Sequence, residues 1–239
     1  NVTILGAGAS FPYPLIVKWS QVYGNATNGR VTINYQSVGS GAGITQITNR
    51  KVQFGASDAP MSATERNNAT GILHIPETIG AVVIAYNIPG ATGRLKLTGT
   101  MIADIYLGKI NKWNDPSIIL INPGLNLPDQ QITVVKRSDS SGTTFVFTDY
   151  LSSASTDWKA AIGKGKVFNF AETVGSRGVQ GKGNEGVTAI VKQNSYSIGY
   201  IELTYALQNG ITYALIRNKA GVFIDANSTT VANAAASVV

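Results

Sequence analysis

Apolar and polar residues follow two rhythms along this chain. Val31-Thr32-Ile33-Asn34-Tyr35-Gln36 alternates with period two, the mark of a half-buried strand. Leu15, Ile16, Trp19, Val22 and Tyr23 recur three and four apart, which predicts a helix with those residues on its buried face. The two rhythms keep exchanging. Val2 to Leu5 predicts a strand that turns through Gly6 to Pro12 into that first helix, with Ser10 as N-cap and Pro12 and Pro14 in the first turn. The strand over 31–36 turns through Gly39-Ser40-Gly41 into a helix burying Ile44, Ile47 and Val52. Phe54 to Ala56 is a short strand ending near Asp58, and Ser62 and Glu65 then have capping-box spacing. Ile79 to Tyr86 is continuously apolar, as a strand buried on both faces would be, and Asn87-Ile88-Pro89-Gly90 breaks it. Further on, the pattern predicts a helix over 98–111 and a strand over 131–136. Helices from Phe145, around Trp158 and from Val187 follow, then a strand over 197–201 and a helix over 230–239. Strands alternating with helices through short Gly/Ser turns predict an α/β protein with largely parallel sheets. Ligands of such sheets bind at the carboxyl ends of the strands.

One of those ends carries chemistry. Val134-Val135-Lys136-Arg137 delivers an arginine at a strand terminus, and Ser138-Asp139-Ser140-Ser141-Gly142-Thr143-Thr144 turns into a helix. A helix start leaves N–H groups unpaired and carries partial positive charge, so small residues there admit an anion. Arg137 adds a planar fork suited to two oxygens of one oxyanion, and Asp139 is near enough to hold it. Ala9-Ser10-Phe11 and Gly39-Ser40-Gly41 repeat the design. Each turn by itself reads equally as plain helix capping. Convergence of the three would surround a small tetrahedral oxyanion with donors. Asp58, at another strand end, is then the informative residue. A carboxylate facing an anion repels it unless the anion brings a proton, so Asp58 would select phosphate over fully ionised sulfate. Its alternative role is that of a turn or N-cap residue.

Composition narrows the rest. The 239 residues are 44% hydrophobic and 13% charged with a net charge of +6, which suits one large or two modest globular domains. The positive charges are scattered, so nucleic-acid binding is weakly supported while attraction of small anions is compatible. With no cysteine, disulfides and thiolate metal sites are excluded. The single histidine, His74, reads as a structural strand residue and makes zinc or a Ser-His-Asp triad a poor fit. No run is long and apolar enough to cross a membrane. Gly175 to Gly186 is glycine-rich, but Gly183 stands where a P-loop needs Ser or Thr. Sequons at Asn1, Asn25, Asn68 and Asn227 are candidate glycosylation sites and lean towards a secreted protein.

The stretches Gly6-Ala7-Gly8-Ala9-Ser10-Phe11-Pro12, Val38-Gly39-Ser40-Gly41, Phe54-Gly55-Ala56-Ser57-Asp58, Asp104-Ile105-Tyr106-Leu107-Gly108, Asp139-Ser140-Ser141-Gly142-Thr143 and Gly181-Lys182-Gly183-Asn184-Glu185-Gly186 run in one order over nearly the whole chain. In them the chain resembles the phosphate-binding proteins of ABC-type phosphate importers. The resemblance implies a two-lobed periplasmic-binding-protein fold of type II, mostly parallel sheets flanked by helices, hinged to close on one inorganic phosphate. It implies that Ser10 and Phe11 give backbone N–H groups, Ser10 also its hydroxyl, and that Ser40 donates from its side chain. Asp58 would accept the phosphate proton, Arg137 would donate twice, held by Asp139, and Ser141, Gly142 and Thr143 would donate from hydroxyls and backbone. The first lobe is expected to hold residues 1–86 and 200–239, and the second 87–199. Family members often have Thr at position 10 and Ser at position 41, and they continue well beyond Val239. That further segment would complete the first lobe, or another polypeptide would. The expected role is extracytoplasmic, periplasmic or cell-surface, capture of phosphate for a membrane permease, with no cofactor and no catalysis. Two other roles stay open: a surface-assembly protein that keeps the fold, and a phosphatase-like enzyme using Ser141 or Asp58 as nucleophile.

Overall fold

The computed structural model describes residues 1–237, and in it strand and helix alternate as the pattern requires. The first region contains β1 (Val2–Gly8), α1 (Tyr13–Ala26), β2 (Val31–Ser37), α2 (Ser40–Thr48), β3 (Phe54–Ala56) and α3 (Ala63–Asn67). The chain continues through β4 (Val82–Asn87), β5 (Lys96–Leu97), α4 (Gly99–Tyr106), α5 (Pro116–Ile121) and β6 (Thr133–Arg137). Next come α6 (Gly142–Ala154), α7 (Thr156–Ala161), β7 (Gly178–Gly181), α8 (Gly183–Gln193) and β8 (Ser197–Glu202). The described part ends with α9 (Leu203–Asn209), β9 (Leu215–Arg217), β10 (Phe223–Ile224) and α10 (Ser228–Ala236).

The strands form three sheets, ordered β2-β1-β3, β4-β8-β6-β7 and β10-β9-β5. The first is wholly parallel. In the second, β6 runs parallel to β7 and β8, while β4 runs antiparallel to β8. The division expected at 1–86 with 200–239 against 87–199 falls inside β4 and β8, two paired strands of the four-stranded sheet, and parts β9 from its partner β5.

Period-two alternation sorts the second sheet's side chains onto two faces. Ile84, Val134, Ile198 and Tyr200 meet Tyr106, Phe147, Leu151, Trp158 and Phe168 on one side. Val83, Val135 and Ile201 meet Val187, Val191 and Tyr205 on the other. The sheet is thus covered on both faces, as a largely parallel sheet needs to be. Burying a single large aromatic of this kind contributes roughly 2–3 kcal/mol, so this double layer is the main store of stability.

Several expectations change in the folded chain. Trp19, Val22 and Tyr23 are half exposed, and Ile16 alone in α1 is buried, because the helix touches the three-stranded sheet along one narrow stripe. Ser10 does not cap α1. The N-cap is Pro12, with no side-chain hydrogen bond. His74 lies on no strand; residues 72–81 belong to no helix or strand, and the His74 Nε2 accepts from the Met61 N–H at 3.3 Å. The apolar run from Ile79 becomes strand only at Val82, leaving Ile79 exposed. The helix expected over 98–111 ends at Tyr106, and the last two residues of the helix expected over 230–239 lie outside the described residues.

Candidate anion site

Arg137 ends β6 with its side chain 1% exposed. Its backbone N–H donates to the Tyr200 hydroxyl at 3.1 Å, which pins the strand end to β8. The guanidinium Nε donates to Asp139 Oδ1 at 2.8 Å and Nη2 to Oδ2; Asp139 holds the guanidinium as expected, but takes the two-pronged pairing that the sequence suggested for an oxyanion. Asp139 also accepts the Gly183 N–H at 3.1 Å. Burial works to raise the Asp139 carboxyl, but Arg137 and that N–H outweigh it and hold it below its ordinary value. The remaining guanidinium nitrogen, Nη1, reaches Thr143 Oγ1 at 3.4 Å.

That hydroxyl is where the two regions meet. Thr143 Oγ1 donates to Asp58 Oδ2 at 3.3 Å. Asp58 follows β3 in the first region, 79 positions before Arg137, yet one hydroxyl bridges the pair. Burial raises the Asp58 carboxyl to about 7, although Arg137 and the Thr143 hydrogen bond pull it down. Ser40, the first residue of α2, accepts the Gly142 N–H at 3.0 Å and the Asp58 N–H at 3.4 Å. A Cβ at Gly142 would fall 2.5 Å from Ser40 Oγ and 2.7 Å from Asp58 Oδ2, so only glycine lets the start of α6 come this close.

Ser10 sits on the same cleft. Its Oγ accepts from Asn184 twice, from the backbone N–H at 2.9 Å and from Nδ2 at 2.8 Å, while its carbonyl accepts the Tyr205 hydroxyl. Ser141 caps α6 by accepting the Thr144 N–H at 3.0 Å. Its own N–H is taken by the Lys166 carbonyl at 2.9 Å, so it has only its hydroxyl to offer a ligand. Among the described residues the backbone N–H groups of Phe11 and Thr143 have no protein acceptor. The cleft is bridged elsewhere by the Lys166–Glu65 ion pair, by the Gly41 N–H on the Ser140 carbonyl at 3.0 Å, and by Ser37 Oγ on Glu185 at 3.1 Å.

Ser10, Phe11, Ser40, Asp58, Arg137, Asp139, Ser141, Gly142 and Thr143 are thus drawn to one place. Asn1, Asn25, Asn68 and Asn227 lie elsewhere, all on the surface, and Asn227 caps α10 through its side-chain oxygen. Sequence reasoning missed Asn184, which is fully buried and touches both Ser10 and Thr143. It also missed Tyr205. Asn184 lay in view within Gly181 to Gly186, but the stretch suggested a failed P-loop and gave no hint of an amide role. Among the described residues no cluster of three His, Cys, Asp or Glu could hold a metal ion, and no helix is long and apolar enough to cross a membrane.

The fold and this cleft define a class. Residues 1–238 match the model of the PBP superfamily domain, and the chain belongs to that superfamily. Within it, the chain is 50% identical over 235 residues to the phosphate-binding protein PstS of Pasteurella multocida, covering 98% of this chain and 66% of that protein. It is 41% identical over 245 residues to PstS of Methanocaldococcus jannaschii, covering 100% of this chain and 63% of the relative. The chain therefore spans just under two thirds of the length of these relatives. Among solved structures it superposes on a high-affinity periplasmic phosphate-binding protein bound with phosphate, with a TM-score of 0.74, 24% identity and 98% and 67% coverage of the two chains. It also superposes on an ABC-type phosphate transport receptor from Vibrio cholerae, with a TM-score of 0.62, 20% identity and 98% and 82% coverage. At these identities the superpositions establish the fold. The relatives carry the names of binding proteins, not of enzymes.

Proposed function

We propose that this chain binds inorganic phosphate outside the cytoplasm and presents it to an ABC-type permease, without a cofactor and without catalysis. The observation that carries the reading is the single Thr143 hydroxyl shared by Asp58 and Arg137. Around it, unpaired N–H groups and hydroxyls offer donors to three oxygens of a tetrahedral anion. Asp58 offers the one acceptor, suited to the proton that phosphate keeps at neutral pH. The proposed ligand set is Ser10, Phe11, Ser40, Asp58, Arg137, Ser141, Gly142 and Thr143, with Asp139 holding the guanidinium.

The proposal includes two lobes, 1–86 with 200–239 and 87–199, hinged near the β4–β8 pair and closing on the ligand. The exposed sequons accept glycans if the chain passes through a glycosylating compartment. Titration calorimetry tests the core of the reading. One phosphate per chain with sulfate excluded is expected, and Asp58→Asn should relax that exclusion. Equal binding of both anions, or release of phosphate from a phosphate ester, would sink it.

A further inference from the structure

A hydroxyl oxygen has two lone pairs and one hydrogen, so counting the donors aimed at it tells where its hydrogen must go. Ser10 Oγ receives two N–H groups, both from Asn184. Ser40 Oγ also receives two, from Gly142 and Asp58. Thr143 Oγ1 receives Arg137 Nη1 and, at 3.2 Å, Asn184 Nδ2. All three hydroxyls have their accepting capacity filled by the protein, which leaves each able only to donate.

Asn184 supplies three of those six donors, and its amide cannot be turned over. Its Oδ1 accepts the Glu202 N–H at 2.8 Å, a group that has no other role than donor, so Nδ2 is bound to face Ser10 and Thr143. Every polar atom of the side chain is then used, one hydrogen to each hydroxyl. The residue sits at the start of α8, in the region opposite Ser10.

We infer that Asn184 is a positioning residue that turns the hydroxyl hydrogen of Ser10 towards the bound anion and that of Thr143 towards Asp58, leaving neither hydroxyl free to accept from the ligand. Its grip on Ser10 spans the cleft. Closure itself therefore removes the choice that a free serine hydroxyl has between accepting and donating. The lining selects a ligand that accepts along all but one of its hydrogen bonds. This rests on the phosphate reading above.

The test is a double-mutant cycle on phosphate affinity by calorimetry, with the parent, Asn184→Ala, Ser10→Ala and the pair. Asn184→Ala should weaken phosphate binding about 10- to 100-fold, the scale of hydrogen bonds to an ion. Little further loss should follow in the Ser10→Ala background, because the one hydroxyl that Asn184 turns towards the ligand is gone. The near-isosteric Asn184→Asp keeps the acceptor for Glu202 and so the local backbone, but draws the Ser10 hydrogen away from the ligand and the Thr143 hydrogen away from Asp58. It should remain folded by thermal unfolding and bind at least 100-fold more weakly. Additive losses in the cycle, or an Asn184→Asp protein that binds like the parent, would overturn the inference alone. A parent chain that binds no phosphate would overturn the reading beneath it as well.

Discussion

The two regions that meet at the cleft are built on different terms. The four-stranded sheet is covered on one face by Tyr106, Phe147, Trp158 and Phe168 and on the other by Val187 and Val191, all at or below 8% exposure. The three-stranded sheet has only Ile44, Met61 and Ala69 as a connected buried cluster nearby. Its order comes from backbone brought close, β1 lying between two parallel neighbours with α2 pressed on top. Yet each region brings the first residues of a helix to the cleft, Ser40 of α2 from one and Gly142 and Thr143 of α6 from the other. Precise placement of a binding turn therefore does not require a thick aromatic core. Close contact between small residues can set it too, with a smaller reserve of stability.

Core truncations should give the widest separation between the regions. Phe147 stacks on Tyr200 with ring centroids 4.1 Å apart and is 2% exposed, so Phe147→Ala should cost about 3–5 kcal/mol in urea unfolding. Trp19, at 44% exposure, should cost less than about 1 kcal/mol when cut to alanine. Equal costs would erase the contrast.

Asp58 measures what the second region does to the first. Its half-buried carboxyl is pushed up by desolvation to about 7 in the folded chain, from an ordinary value of 3.8. Between those values the folded state holds the extra proton, so stability without phosphate should fall as pH rises from about 4 to 7 and level off above. Asn at this position has nothing to titrate. Asp58→Asn should therefore be more stable than the parent at pH 8, by on the order of 2–4 kcal/mol, and no more stable at pH 4. A pH-independent difference would show that the raised value is not felt in folding.

A smaller effect should expose how the first region is held. A Cβ on Gly43 would come within 2.5 Å of Gly8 Cα and 2.8 Å of the Ala7 carbonyl, so Gly43→Ala must push α2 off β1. A destabilisation of roughly 1–3 kcal/mol is expected. Hydrogen exchange should rise in β1 to β3 before it rises in β6 or β8, and a uniform rise would argue against a separate first region. Smallest of all should be the clasp between Lys166 and Glu65. Its side chains are 17% and 29% exposed, and Lys166→Met should weaken phosphate binding only a few-fold, by less than about 1 kcal/mol, with the difference shrinking in high salt.

Local pattern alone settled the α/β alternation, the strand that delivers Arg137, its pairing with Asp139 two residues on, and the helix that follows, expected from Phe145 and begun at Gly142. These are interactions between near neighbours, and a short stretch contains both partners. The residues of the candidate site were legible for the same reason, since hydroxyls and glycines at helix starts and one arginine at a strand end stand out locally. The packing of α1 was not legible. Periodicity says which residues share a face, but what covers that face depends on the rest of the fold, and here Trp19 and Tyr23 stay half exposed. Ser10 looked like a cap and became a partner of Asn184, 174 positions away. The meeting of Asp58 with Arg137 at Thr143, and the direction of every hydroxyl hydrogen in the cleft, depend on groups distant in sequence. Hydrogen bonding acts over about 3 Å, so only the folded chain could decide them.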